Sequence, residues 1–334
     1  MAPLLSCLIP AYNHAAYVEE AVRSVLDDAD KDVEVIAVDD RSEDGTHDVL
    51  LALARGEQRL SVLRNDANQG AAATLGRALA EARGKYVTVL ASDDRSVPGR
   101  LAQQLDVMES GASWSFGQAH VIDAHGARTS TEPQGPPPEP DGMLRTLLRG
   151  QAIYAPTLMY RRELLDSVGG VVQAMWEDLA TTLRFAALSE PVFLAQPLIE
   201  YRVHGANLHL DVLQAKRHMA AHQEAVRLLL GWSALPAAAR PVALDHAAAW
   251  DALAALADSR RPALRAASRA ALNGVVRRQA KDLLRDIDAD RLRAFEIQLR
   301  IRGAHDAARA IAELRGPLML RALRKARQSV SIRQ

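Results

Sequence analysis

The feature that most constrains the fold is an alternation of short apolar runs with helix-like segments over the first ninety residues. Residues 4–9, 33–38 and 86–91 have the length and composition of buried strands, and residues between them repeat apolar side chains at helical spacing. Strands that alternate with helices form a parallel sheet covered by helices. The pattern therefore predicts an α/β domain with a mostly parallel sheet.

The same patterns predict the remaining elements of the first two hundred residues. Residues 132–141 contain five prolines and are predicted to form a surface loop, and a turn is predicted at 123–126. Further strands are predicted at 60–63, 114–122 and 197–200, and helices at 15–26, 46–54, 70–83, 142–148 and 179–188.

The composition changes after Asp211, where Ala, Leu and Arg dominate. We predict an α/β catalytic domain over 1–210 and a helical C-terminal domain over 211–334. The net charge of zero conceals an asymmetry: residues 1–210 hold 18 Lys and Arg against 29 Asp and Glu, and residues 211–334 hold 23 against 12. An acidic first part suits cation binding, and a basic second part suits contact with acidic lipids or with the first part.

Composition also excludes several classes of protein. A single cysteine, Cys7, rules out an intrachain disulfide and a cysteine metal cluster. The N-terminus lacks a signal-peptide pattern and no apolar stretch approaches a membrane span, so we expect a cytoplasmic protein. The basic, amphipathic residues 318–327 offer contact with the inner face of the cell membrane, although a solvated terminal helix fits them as well.

Polar clusters follow three of the predicted strands, and one of them contains two adjacent carboxylates. Asp93 and Asp94, preceded by Ser92, close a buried strand, where they would repel each other and lose solvation. Mg²⁺ or Mn²⁺ relieves both costs and is commonly held by one or two carboxylates and substrate phosphates. This predicts a metal-assisted site for a phosphorylated donor; the alternative is that Ser92 and the aspartates cap the next helix.

Three other groups of polar residues have both a functional and a purely structural interpretation. After the second strand, Asp39 and Asp40 can accept hydrogen bonds from a base or a ribose, or residues 38–46 only form a loop and the cap of the helix that starts near Thr46. Asp178 can act as a general base, or it only places charge at a helix start. His204 can complete a metal site, or it is an ordinary surface histidine.

In order and spacing, residues 4–210 resemble a family 2 glycosyltransferase with the GT-A fold. The resemblance rests on the segments 8–13, 38–46, 68–70, 92–94, 164–170, 176–178 and 201–207. Four positions depart from the family pattern. Ser92 replaces the first acidic residue of the usual Asp-x-Asp form, Arg41 stands where glycine is usual, and Gly76 and Ala78 stand where relatives often have Asn and Gly.

The resemblance implies a role for each matching position. Asp40 would bind the base, Asp93 the ribose or the metal, and Asp94 and His204 the metal, with Asp178 as catalytic base. The full implied set is Pro10, Ala11, Tyr12, Asn13, Asp39, Asp40, Asn68, Gly70, Ser92 and Asp93 for the nucleotide, Asp94 and His204 for Mg²⁺ or Mn²⁺, Asp178 for catalysis, and Glu177, Arg202 and Asn207 in support.

The resemblance implies a metal-dependent, inverting glycosyltransferase of bacterial surface polysaccharide assembly. Its donor would be a nucleotide sugar, with UDP- or dTDP-sugars favoured, and its acceptor a glycan or a lipid-linked glycan. One alternative is a sugar-1-phosphate nucleotidylyltransferase, but the residues after the first strand, Pro10 to His14, lack the basic, glycine-rich loop of that class. The other alternative is a non-catalytic sugar-nucleotide-binding protein. Aromatic side chains for base stacking are scarce, which argues against nucleic-acid binding.

Overall fold

The computed structural model describes residues 2–28, 32–129, 142–148, 153–174, 176–204 and 214–244, together with 135, 137, 138, 246 and 247. By compactness the chain divides into two units, Met1–Ala243 and Leu244–Gln334. Nearly all described residues belong to the first unit. The predicted proline-rich loop, the helices expected late in the chain, Asn207 and residues 318–327 lie largely or wholly outside the described residues.

The described residues form one mixed sheet with helices packed on it. The strands are β1 (Leu5–Ala11), β2 (Val33–Asp39), β3 (Leu60–Arg64), β4 (Tyr86–Val89), β5 (Arg95–Ser96), β6 (Trp114–Ile122), β7 (Met159–Arg161) and β8 (Val192–Arg202). The helices are α1 (Val18–Leu26), α2 (Thr46–Ala54), α3 (Ala71–Glu81), α4 (Arg100–Glu109), α5 (Met143–Leu148), α6 (Arg162–Ser167), α7 (Glu177–Leu188) and α8 (Gln214–Leu230), with a 3₁₀ turn at Ala155–Thr157.

The order of strands in the sheet is β3-β2-β1-β4-β7-β6-β8-β5. β3, β2, β1 and β4 are parallel, β7 is antiparallel to both β4 and β6, β6 and β8 are parallel, and β5 is antiparallel to β8. The expected mostly parallel sheet flanked by helices is therefore confirmed, with an antiparallel interruption at β7. β1 and β2 are buried along nearly their whole length, which explains their continuous apolar runs.

Sequence patterns located several of the longer elements, but they gave only residues 197–200 of the eleven-residue β8 and missed the two shortest strands. The predicted bounds of α2 and β6 match residue for residue, whereas α1 begins at Val18 rather than at residue 15. β5 and β7 have two and three residues, too few to show a period, and they exist because neighbouring strands pair with them.

The predicted domain boundary near residue 210 stays a prediction. α8 lies beyond that boundary, yet it packs against α7 and belongs to the first compact unit. Its residue His222 is buried, with Nε2 3.0 Å from the carbonyl oxygen of Leu148 in α5. None of the helices in the described residues has both the length and the apolar content that crossing a bilayer requires.

Candidate active site

Three chain segments leave the parallel half of the sheet at the same edge. β1 and β2 are in register, with Ala11 beside Asp39, and the chain past β4 leaves next to β1. Hydrogen bonds join the first two segments. The Asn13 amide donates to Ser42 Oγ at 2.9 Å, and the Asp40 amide donates to the Ala11 carbonyl at 2.8 Å. This is the edge at which ligands of such sheets bind.

Asp40, the predicted base-binding residue, organises the neighbouring loop. Its Oδ1 accepts hydrogen bonds from Asn65 Nδ2 at 2.7 Å and the Gln69 amide at 2.8 Å, and its Oδ2 accepts one from the Gly70 amide at 2.8 Å. The side chain is buried, and these three bonds fix the entry to α3. A base contact by Asp40 stays a prediction, because its carboxylate already serves three protein donors.

Asp39 is fully buried and is compensated by a cation. Arg64 Nε lies 3.0 Å from its Oδ2, and the Ser42 amide donates to its Oδ1 at 3.2 Å. Between Asp39 and Ser42 the chain passes through Arg41 with φ = +64°, a left-handed conformation that glycine adopts without strain. The glycine usual at this position in the family thus has a conformational reason.

The other predicted nucleotide residues border an open surface. Tyr12 is 44% exposed, and Asn13, Asn68 and Gly70 are also exposed, while Ala11 is buried beneath them. Asn13 adopts φ = +54°, and its Oδ1 accepts a hydrogen bond from the Glu43 amide at 3.0 Å. Their binding of a nucleotide stays a prediction.

The helix-cap alternative is wrong for residues 92–94, whereas in residues 38–46 Asp44 does cap the next helix. The amides of Gly99 and Leu101 at the start of α4 donate to Asp28, not to Ser92, Asp93 or Asp94. The start of α2 is served by Asp44, which accepts hydrogen bonds from the Thr46 amide at 3.0 Å and the Thr46 hydroxyl at 2.5 Å. Neither acidic pair therefore caps the helix that follows it.

Asp93 lies between two histidines. Its Oδ2 is 3.1 Å from His204 Nε2 and 3.9 Å from His14 Nε2, and the two rings meet edge to face with centroids 5.5 Å apart. The candidate ligand atoms of these three residues all lie within 4.8 Å of one another. Burial lowers the pKa of His14; the Asp93 carboxylate opposes this effect, and His204 adds to it. A neutral imidazole is the form that binds cations.

Asp94, the predicted metal ligand, is not part of this group. It is almost fully buried, and its Oδ1 accepts a hydrogen bond from the Arg202 amide at 2.8 Å. Within the described part of the chain its buried Oδ2 has no hydrogen-bond partner. Burial and then the neighbouring Asp93 raise the pKa of Asp94 well above its usual value. Its metal role stays a prediction.

Arg202, predicted as a supporting residue, connects three elements behind the site. Its Nε donates to the Asp93 carbonyl at 2.7 Å, its guanidinium pairs with Glu20 of α1 at 2.6 Å, and it stacks 4.7 Å from the Tyr17 ring centroid. The side chain is buried, so these contacts hold the 93–94 turn rather than reach outward.

Asp178 and Glu177 form the first turn of α7. The Leu179 amide donates to Asp178 Oδ1 at 2.7 Å. Burial, followed by the Asp178 charge, raises the pKa of Glu177 to about 7. Both residues are therefore at a helix start, as the structural alternative expected, and this placement does not decide between helix stabilisation and catalysis.

Tyr201 precedes Arg202 at the end of β8, and nearby charges affect its hydroxyl. Burial raises the pKa of the Tyr201 hydroxyl, and the charges of Asp94, Asp93, Tyr154 and Asp178 raise it further, in that order. The Tyr201 and Tyr154 rings are in contact, with centroids 5.1 Å apart. The placement of Asp178 in the same site as Asp93 and Asp94 stays a prediction.

Sequence reasoning missed several residues that build the site. His14, in the polar segment after β1, and Tyr201, in the segment 201–207, were visible but were not assigned a role, and Asn65, Arg64 and Tyr17 gave no signal. Each acts through a partner distant in sequence, such as Asn65 on Asp40 and Tyr17 on Arg202. His14 alone had a usable signal, because it lies at the carboxyl end of the first strand.

Comparison with known sequences decides the family. Residues 6–169 match the model described as glycosyl transferase family 2. The chain is 32% identical over 233 residues to an uncharacterized glycosyltransferase of Nostoc, a match that covers 66% of this chain and 71% of that protein. The chain belongs to glycosyltransferase family 2. It is accordingly a transferase, as the resemblance implied.

Other family 2 relatives match over shorter stretches. TuaG of Bacillus subtilis, a glycosyltransferase named for teichuronic acid biosynthesis, is 41% identical over 115 residues, 34% of this chain and 46% of that protein. A GalNAc(5)-diNAcBac-PP-undecaprenol beta-1,3-glucosyltransferase of Campylobacter jejuni is 30% identical over 120 residues, 36% of this chain and 39% of that protein. The chain thus spans less than half of each of these two relatives.

Solved structures confirm the GT-A fold. S. aureus TarS 1-349 in complex with UDP-GlcNAc superposes with a TM-score of 0.58 at 17% identity, over 92% of this chain and 90% of that one. The mannosyltransferase PcManGT of Pyrobaculum calidifontis, in complex with GDP-Man and Mn²⁺, gives a TM-score of 0.53 at 18% identity, over 92% and 88%.

Proposed function

We propose that this family 2 glycosyltransferase moves a sugar from a nucleoside diphosphate donor to an acceptor hydroxyl, with inversion at the anomeric carbon and with help from Mn²⁺ or Mg²⁺. The observation that carries the proposal is the grouping of His14, Asp93 and His204 at the carboxyl edge of the sheet. A nucleotidylyltransferase remains the less favoured alternative, because the segment after β1 has no basic residue for a triphosphate.

The residues present fit a divalent cation. One carboxylate and two imidazoles converge with ligand atoms within 4.8 Å of one another, and they are largely shielded from solvent. Carboxylates suit Mn²⁺ and Mg²⁺, whereas imidazole nitrogens suit transition metals and disfavour Mg²⁺. A cation bound here would neutralise charge on the departing diphosphate.

The chain's own residues would supply the rest of the chemistry. Asp178 accepts the proton of the acceptor hydroxyl at its carboxylate, and the Leu179 amide on Oδ1 holds that side chain in place. Arg202, through the Asp93 carbonyl and the Asp94 carboxylate, keeps the acidic turn in position. Tyr12 and the exposed residues near Gly70 would border the nucleotide.

Donor and acceptor are proposed by analogy with relatives. TarS 1-349 was solved with UDP-GlcNAc, which favours a UDP-sugar, and a dTDP-sugar is the second choice. Relatives named for teichuronic acid synthesis and for an undecaprenol-linked substrate favour a surface glycan or a lipid-linked acceptor. The sugar transfer would then take place at the cytoplasmic side of the membrane.

A donor screen tests the proposal directly. The purified chain is incubated with UDP-, dTDP- or GDP-sugars, Mn²⁺, and lipid-linked glycan acceptors, and the products are analysed. Release of nucleoside diphosphate and an inverted anomeric configuration by NMR are expected. Pyrophosphate release from a nucleoside triphosphate would instead favour the nucleotidylyltransferase, and full activity in EDTA would remove the metal from the proposal.

The base assignment has its own test. Asp178→Asn should lower the transfer rate by about 10²- to 10⁴-fold while UDP binding persists, because a general base contributes about that much. Asp166→Asn, an exposed aspartate of α6, is the matched control and should leave the rate unchanged. Near-normal transfer by Asp178→Asn would show that another group removes the proton.

A further inference from the structure

The most unusual part of the site is the pairing of His14 with Ser92. Ser92 supplies a hydroxyl where an acidic residue is usual in the family, and it is almost fully buried. Its Oγ lies 2.8 Å from His14 Nδ1. Ser92 therefore provides no carboxylate of its own, but its hydroxyl contacts the His14 imidazole.

The orientation of His14 is fixed on two sides. Its backbone amide donates to Thr46 Oγ1 at 2.8 Å, which anchors the loop after β1 to the start of α2. When Nδ1–H donates to Ser92 Oγ, the lone pair of Nε2 is left on the side of Asp93. A hydrogen bond from the second nitrogen is the usual way in which a metal-binding histidine is oriented.

The distances around Asp93 are compatible with a shared cation. His204 Nε2 is within hydrogen-bond reach of Asp93 Oδ2 at 3.1 Å, but His14 Nε2 is 3.9 Å away, beyond hydrogen-bond range. Ligand atoms that each lie about 2.1 Å from one ion are separated by about 3–4 Å. The two separations from Asp93 Oδ2 fall in that range, and the three candidate ligand atoms all lie within 4.8 Å of one another.

We propose that His14, held by Ser92, is a ligand of the cation together with Asp93 and His204, and that this makes the site selective for Mn²⁺ over Mg²⁺. The inference rests on the proposed function, since the cation is taken to be the one that assists the donor. The selectivity follows because nitrogen ligands raise affinity for transition metals, whereas Mg²⁺ favours oxygen ligands and retains its waters.

The test measures cation binding to the full chain without requiring turnover. Mn²⁺ and Mg²⁺ are titrated calorimetrically, alone and with UDP, and pulsed electron paramagnetic resonance of bound Mn²⁺ counts the coordinated nitrogens. Two nitrogens and tighter binding of Mn²⁺ are expected. His14→Ala should lose one nitrogen and about 10- to 100-fold in Mn²⁺ affinity. His125→Ala, which removes an exposed imidazole in the turn after β6, is the matched control.

Two further variants test the role of Ser92. Ser92→Ala keeps His14 but removes the hydroxyl that orients it, so a smaller loss of Mn²⁺ affinity is expected, with both nitrogens retained. The double variant with His14→Ala and Ser92→Asp replaces the imidazole by a carboxylate and should shift the preference towards Mg²⁺. Circular dichroism and thermal unfolding without metal establish that each variant is folded.

The outcomes separate this inference from the proposed function. If His204→Ala abolishes Mn²⁺ binding while His14→Ala leaves the affinity and the nitrogen count unchanged, the role of His14 is wrong and the metal-assisted transfer stands. If the unaltered chain binds neither cation, with or without UDP, and transfers sugar in EDTA, the metal part of the proposed function fails, and this inference fails with it.

Discussion

Two acidic pairs stand on either side of β1, and they are used in opposite ways. Asp39 and Asp40, at the end of β2, are occupied by protein: Arg64 lies against the first, and three donors bind the second. Asp93, past the end of β4, lies between two imidazoles, and one buried oxygen of Asp94 has no hydrogen-bond partner in the described residues. Asp39 Oδ2 likewise accepts no hydrogen bond there, but it faces the Arg64 guanidinium. The first pair builds a loop, and the second is suited to a ligand.

The difference shows why a carboxylate motif does not state its role by itself. Burying a carboxylate is costly unless donors or a cation compensate it. At Asp40 the compensation comes from the Asn65 side chain and from two backbone amides, so the carboxylate stabilises the loop before α3. At Asp93 and Asp94 the protein supplies less, and burial raises the pKa of Asp94. A cation from solution is the natural complement there.

The largest expected effect is that of Asp93→Asn on metal-dependent transfer. We expect a fall of about 100- to 1000-fold, because the cation that stabilises the leaving diphosphate loses its carboxylate. The free energy of unfolding should change by less than about 1 kcal/mol, since the repulsion with Asp94 is relieved. Steady-state rates in Mn²⁺ and urea unfolding measure the two effects. If Asp93→Asn instead lost stability and each folded molecule kept a normal transfer rate, Asp93 would have a structural role like that of Asp40.

Asp40→Ala should show the converse pattern. Three donors would lose their acceptor, so the free energy of unfolding should fall by about 3 kcal/mol, measured by urea unfolding. The exposed Asp66 of the same loop provides the control, and Asp66→Ala should stay within about 0.5 kcal/mol of the unaltered chain. An Asp40→Ala protein of unchanged stability would contradict the structural role given to this carboxylate.

A third acidic pair, Glu177 and Asp178, extends the comparison through pH. The pKa of Glu177 is about 7 when folded against an ordinary value of 4.5, so the folded state binds the proton more tightly. Stability is therefore full below about pH 4.5 and falls as the pH rises through 7. Glu177→Gln should remove this dependence and raise stability at pH 8 by about 2 kcal/mol. Thermal unfolding from pH 5 to 8 checks it; identical pH profiles would contradict the raised pKa.

The smallest effect concerns the turn after the first pair. Arg41 is exposed and has φ = +64°, so Arg41→Gly should stabilise the chain by about 0.5–1 kcal/mol by relieving backbone strain. Asn13→Gly is the comparison: Asn13 has φ = +54° but accepts a hydrogen bond from the Glu43 amide, so little or no gain is expected. A loss of melting temperature in Arg41→Gly would contradict the strain argument.

The parts of this molecule that could be predicted from sequence are those fixed by local pattern. Continuous apolar runs gave β1 and β2, and helical spacing gave α2 with its observed bounds. The polar segments after β1, β2 and β4 were expected at one edge because parallel strands end together, and they are found there. β5 and β7 could not be predicted, because pairing with neighbours rather than their own sequence makes them strands.

The sequence by itself determined the α/β class, the family and the side chains available at the carboxyl edge, because burial and periodicity act over a few residues. Only the tertiary structure decided which acidic pair is satisfied by protein donors and which faces His14 and His204. The reason is that the protonation and ligand affinity of a carboxylate depend on atoms within a few ångströms, and those atoms come from segments up to 111 positions apart in the chain.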